Sequence, residues 1–87
     1  MTTQMRIDRF IHCIRLVKSR SLAKALIDQG HVRLDRRHVA RSSEPVRVGS
    51  VIALPLNGRT RVIEVLGLPD RRGPPAEAQL AYREIDP

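Results

Sequence analysis

Residues 18–37 read KSRSLAKALIDQGHVRLDRR, and the glycine at position 30 divides them into two periods. Before it, Leu22, Ala23, Leu26 and Ile27 recur at helical spacing with Arg20, Lys24 and Asp28 on the polar side, which predicts a helix over residues 20–29. Ser19 is the candidate N-cap, because a serine oxygen accepts from the free N–H groups of a first turn. Gly30 suits the left-handed residue that ends a helix. Beyond it His31, Val32, Arg33 and Leu34 alternate polar with apolar, which predicts a strand. Residues 38–40, HVA, are expected to pair back with that strand across a tight basic turn of Asp35, Arg36 and Arg37.

Upstream, Asp8 is a candidate N-cap for a first helix of about three turns. Phe10, Ile11, Ile14 and Val17 form its apolar face and leave Asp8, His12 and Arg15 on the opposite, solvated one. Joined through LVKSR (residues 16–20), the two helices make a hairpin sealed by its apolar faces. Downstream, RSSEPVRVGS (41–50) reads as loop, and VIALPL (51–56) is joined to RTRVIEVLGL (59–68) by Asn57-Gly58, the strongest hairpin signal in the chain. PDRRGPP (69–75) holds three prolines and is expected to wrap the body as an extended segment. AEAQLAYREI (76–85) permits a short helix with Pro75 at or just before its first position, and Leu80 and Tyr82 available to dock. The expected class is α+β: a two-helix hairpin packed on a small, mostly antiparallel sheet, followed by a short C-terminal helix.

With 87 residues the chain fits one domain that buries roughly 60 to 65% of its unfolded surface. Its 41% hydrophobic content suffices for folding, and one Tyr, one Phe and no Trp make the core aliphatic. A lone cysteine and an N-terminus without an apolar leader favour a cytoplasmic setting, and no apolar run is long enough for a membrane helix.

Charge is the sharpest bulk signal. Residues 1–47 carry eleven basic side chains against four acidic ones, and residues 48–87 carry five of each, so the whole excess of +7 lies in the first half. A polyanionic partner follows from that asymmetry. Catalysis does not: Cys13 sits at the edge of an apolar face as a small buried hydrophobe, and His12, His31 and His38 lack metal-ligand spacing. The five glycines make no phosphate loop. No enzyme activity, cofactor, metal or small-molecule substrate is expected.

Three basic segments can converge once the hairpin folds against the strand turn. Lys18, Arg20 and Lys24 lie at the N-terminal half of the second helix, Arg33, Arg36 and Arg37 on the returning strand and turn, and Arg41 just beyond. Arg6, Arg9 and Arg15, on the outer face of the first helix, form a second tier. With almost no aromatics, phosphate and groove-shape recognition of structured RNA is favoured over stacking of splayed bases.

RIDRFIHCIRLVKSRSLAKALIDQGHVRLD (6–35), continued by VRVGSVIAL (46–54), resembles the RNA-binding domain of small-subunit ribosomal protein four, the alpha-L motif. The resemblance rests on Arg6 to Asp8, Ser19-Arg20, Ala23, Leu26, Ile27, Gly30, Val32, Val48, Gly49 and Ile52. RRGPPAEAQLAYRE (71–84) is similar to the ribosome-associated fifteen-kilodalton heat-shock protein family. The resemblance implies one RNA-binding domain over 1–87, with the alpha-L core at about 6–54 and the hairpin strand and tail at 55–87. It also implies binding of large-subunit ribosomal RNA, in rescue of dissociated subunits that hold a blocked nascent chain. Where the family's strand turn carries Asn-Gly, this chain has Asp35-Arg36-Arg37, and the basic C-terminal extension common in the family is not expected to contribute contacts here. A monomer is expected. Two other readings stay open: a specificity module for a separately encoded RNA-modifying enzyme, and a basic module for DNA or an acidic protein.

Overall fold

The protein is described from a computed structural model covering residues 3–85. Strand β1 (Met5–Arg6) leads into helix α1 (Ile7–Cys13), and helix α2 (Arg20–Asp28) follows. Then come β2 (Arg33–Leu34), β3 (Arg37–His38), β4 (Pro45–Val46), β5 (Val51–Leu56), β6 (Arg59–Val65), α3 (Pro75–Leu80) and β7 (Tyr82–Glu84). β1 pairs with β4, while β3-β2-β5-β6-β7 form a five-stranded sheet in which every ladder is antiparallel. The α+β class and its helix hairpin on a small antiparallel sheet are those expected from the sequence.

Both helices of the hairpin end in the same motif on different residues. At α2, Gly30 adopts φ +79°, its N–H donates to Ile27 O and that of His31 to Leu26 O, which satisfies the last free carbonyls. At α1 the left-handed residue is Arg15, with φ 66°, and the N–H groups of Arg15 and Leu16 donate to His12 O and Ile11 O. A non-glycine residue in that position stops the helix after two turns, so the three-turn expectation is corrected. Ile14 and Val17 still reach the core, because the chain that leaves Arg15 folds back against it.

Ser19 caps α2 as expected, its Oγ accepting from Leu22 N at 3.2 Å. α1 has no such cap: its N-cap is Arg6, and the N–H groups of Ile7 and Asp8 donate to the carbonyls of Glu44 and Ser42. Segment 41–46, read as plain loop, therefore supplies the first turn of α1 with acceptors and adds β4 beside β1. Backbone carbonyls 37 residues (Ile7 to Glu44) and 34 residues (Asp8 to Ser42) along the chain replace the side-chain cap expected of Asp8.

Ile7, Phe10, Ile11, Ile14, Ile27, Val32, Leu34, Ile52, Leu54, Ile63 and Val65 fill one aliphatic core, with the lone Phe fully enclosed. Leu22 departs from expectation and stays 49% exposed. α2 packs along Ala23 and Ile27, and Leu22, about 100° before Ala23 on the helix, falls off that line. Leu80 is likewise exposed while Ala78 and Ala81 dock α3. Tyr82 lies on β7, a strand opposite Val65 that the short polar sequence did not reveal.

Asn57 and Gly58 both take positive φ in the two-residue turn from β5 to β6. The β2–β3 turn is the same kind: Leu34 pairs with Arg37, so only Asp35 and Arg36 turn, with φ 51° and 72°. Arg37 therefore belongs to the strand and not to a three-residue turn. Asp35 anchors the turn, because its Oδ1 accepts from Val51 N at 2.9 Å.

The tail wraps α1 as an extended strap. Arg9 donates to Asp70 O, Arg15 Nη1 to Gly73 O at 3.0 Å, and Arg72 Nε returns to His12 O at 3.3 Å.

Candidate nucleic-acid interface

The N-terminus of α1 is the meeting point of the basic segments. Asp8, expected on a solvated face, is 3% exposed and stands between two arginines. Its carboxylate accepts from Arg6 Nε and Nη2 at 3.1 Å each and from Arg20 Nη2 at 3.2 Å, while Oδ1 also accepts from Arg9 N at 2.7 Å. Burial pushes this carboxyl up, but the hydrogen bonds from Arg6, Arg9 N–H and Arg20, with the charge of Arg20, outweigh it and hold the pKa below the ordinary carboxylate value. One buried anion thus ties β1, α1 and the start of α2 together.

The β2–β3 hairpin is brought to the same corner through Glu44. Arg37 Nη1 pairs with Glu44 Oε1, and the carbonyl of Glu44 accepts from Ile7 N at the head of α1. From Arg37 a bonded path runs through Glu44 and the first turn of α1 to Asp8 and on to Arg20. Of the basic residues expected to converge, Arg20 and Arg37 are linked to this corner, and both residues that organise it are acidic.

The expected site residues now separate by what already holds them. Lys18, Lys24, Arg33, Arg36 and Arg41 are exposed and make no ion pair among the described residues. Arg20 and Arg37, with side chains 47% and 58% exposed, are oriented by Asp8 and Glu44 yet keep free N–H groups. Arg6 shares Asp8 with Arg20, whereas Arg9 and Arg15 are committed to the carbonyls of the tail and serve as its clamps. Arg33 Nη2 lies 3.4 Å from His38 Nε2 on the paired strand. His12 is half-buried rather than solvated, and burial, with Arg72, Arg20 and Arg15 nearby, holds its pKa below the ordinary histidine value. Those three guanidiniums mark the tail's Arg72 as a basic neighbour of α1 that the sequence halves had separated.

Asp8 and Glu44 organise the candidate site, a part that the sequence pattern alone does not reveal. Arg6-x-Asp8 and Ser19-Arg20 carried the signal, but spacing alone does not reveal that one carboxylate spans both helices. Among the described residues no group of three or more His, Cys, Asp or Glu could hold a metal, and Cys13 is buried. No described helix is long and apolar enough to cross a membrane.

A family model for the S4 domain matches residues 5–52, which covers both helices, the β2–β3 hairpin and the start of β5. The chain belongs to the S4 domain family. Within it, the chain groups with the heat shock protein 15 homologues. It is 34% identical over 83 residues to the heat shock protein 15 homolog of Haemophilus influenzae, covering 95% of this chain and 63% of that one. A solved structure described as trimeric Vibrio cholerae heat shock protein 15 superposes with a TM-score of 0.89 at 30% identity, covering 94% of this chain and 82% of the other. The RQC P-site tRNA stabilizing factor of Bacillus subtilis is 32% identical over 66 residues, 76% of each chain. The chain spans less than two thirds of the length of the curated heat shock protein 15 relatives.

Proposed function

We propose that the protein is a non-enzymatic binder of structured RNA, acting on ribosomal RNA of the large subunit in the cytoplasm. The observation that carries this reading is the corner at the head of α1, where Asp8 and Glu44 gather Arg20 and Arg37, while Lys18, Lys24, Arg33, Arg36 and Arg41, exposed and without ion pairs among the described residues, lie on the same two chain segments. Cations fixed in direction but left with free donors suit a rigid, folded phosphate backbone, which they meet without much further ordering. With Phe10 enclosed and Tyr82 turned to the core, the surface favours shape and phosphate contacts over aromatic stacking. Arg6 supports the site through Asp8, and Arg9 and Arg15 act through the strap.

From the family resemblance of the chain we infer a role in rescuing dissociated large subunits that carry a blocked nascent chain. The Bacillus relative's name favours a second reading at the same place, contact with a tRNA on the ribosome. Crosslinking in cells followed by sequencing of the attached RNA separates the two: large-subunit ribosomal reads support the first, tRNA reads the second, and messenger or random reads overturn both. If about five phosphates are engaged, log K against log salt falls with a slope of about −4. We retain the monomer as the working state, and sedimentation at micromolar concentration decides between it and the trimer described for the Vibrio relative.

A further inference from the structure

The run VIALPL on β5 is apolar at every position, a pattern of strands covered on both faces. The fold covers one. Ile52 and Leu54 are buried with Ile63 of β6 and Leu34 of β2, whereas Val51, Ala53 and Val62 face outward and are only half-buried. Register places Arg33 beside Ala53 and Ala53 beside Val62, and Ile85 follows on through its N–H to Val62 O at 2.8 Å. The result is a shallow cavity of about 580 Å³ with an aliphatic floor of Val51, Ala53, Val62 and Ile85 and a rim of Arg33, Arg36 and Asp35.

That rim is shared with the proposed RNA surface, since Arg33 and Arg36 are two of its unpaired cations. Asp35 has one carboxylate oxygen occupied by Val51 N, which leaves the other as an acceptor for an exocyclic amine. A flat, uncharged floor between two guanidiniums and one acceptor matches the chemistry of a nucleotide: phosphate on the arginines, base face on the aliphatic surface, base edge toward Asp35. We propose that the outer face of the sheet seats one unpaired nucleotide of the bound RNA, a bulged or loop base turned out of its helix. This rests on the RNA reading and adds a site to it that recognises a base where the helix corner recognises backbone.

The test uses the native chain, labelled with nitrogen-15 and titrated with adenosine or cytidine 5′-monophosphate, with ribose 5-phosphate as the control. Nucleotides are expected to shift the amides of Ala53, Val62 and Ile85 with millimolar saturation, while ribose 5-phosphate shifts only Arg33 and Arg36. Equal floor shifts with both probes, or none with nucleotide, overturn the seat. Floor shifts that grow with protein concentration alone also overturn it, because a second copy then covers the face. In a second arm, an RNA hairpin carrying one bulged nucleotide is expected to bind about fivefold to tenfold more tightly than its fully paired counterpart. Ala53→Leu, which fills the floor without changing charge, is expected to erase that preference and leave the paired hairpin's affinity within about twofold. Equal native affinity for the two hairpins sinks the seat alone, whereas no binding to either sinks the RNA reading beneath it.

Discussion

The helix corner and the β6–β7 edge use the same ion-pairing residues in different proportions. At the edge the charges match one to one: Arg61 pairs with Glu84, and Arg83 Nε with Glu64 Oε1 at 2.6 Å. In the corner one buried Asp8 serves both Arg6 and Arg20 and Glu44 serves Arg37, and five further cations on the segments that carry Arg20 and Arg37 stand without an ion pair among the described residues. Balanced pairs at the edge dock a strand that has little apolar surface of its own. Unbalanced pairs in the corner orient positive charge and leave it available. The same chemistry therefore gives attachment in one region and a candidate binding surface in the other, and the number of carboxylates decides which.

The largest break in that contrast is expected from the double variant Arg20→Ala with Lys24→Ala. Affinity for structured RNA should fall about a hundredfold at low salt, with the salt slope reduced by about 2 and the circular dichroism spectrum unchanged. Unaltered affinity would remove the corner from the interface. Asp8→Asn comes next. It leaves two guanidiniums facing a neutral amide at a buried position and should lower unfolding stability by about 2 kcal/mol in urea titrations at neutral pH. Since the folded-state pKa of Asp8 lies below its ordinary 3.8, the native contribution is present above that value and is lost as pH falls through the folded one. The variant's stability should accordingly fall less steeply below pH 4 than the native protein's.

Arg36→Gly separates stability from binding. Arg36 holds φ 72°, so glycine should raise the melting temperature slightly, by about 0.5 kcal/mol of stability, while RNA affinity falls several-fold in a binding titration. A fall in both would mean that the side chain stabilises the turn. The smallest effect is expected at the balanced edge: Arg83→Gln should change stability by less than about 1 kcal/mol and RNA affinity by less than twofold. A large binding loss there would erase the distinction between the two regions.

Much of the frame was legible because its signals are local. Ser19 caps, Gly30 terminates and Asn57-Gly58 turns through interactions within a few residues, and each does so in the fold. The errors share an opposite cause. Helical periodicity of α1 taken alone places Asp8 and His12 on a solvated face, but Arg20 reaches the first and the strap at Arg72 meets the second. Arg15 gave no glycine to mark the end of α1, and β7 lacks the alternation that would announce a strand. Neither Arg9 nor Arg15 could be recognised as a clamp, since their acceptors are backbone carbonyls about sixty residues away.

By itself the sequence determined the helix hairpin, the two β-hairpins, the aliphatic core and the location of the excess charge in the first half. These follow from periodicity, turn chemistry and composition, which act over one or two turns of chain. Only the tertiary structure decided which cations are tied and which are free. That choice depends on where two carboxylates and a handful of carbonyls arrive in space, and spacing along the chain does not carry that information.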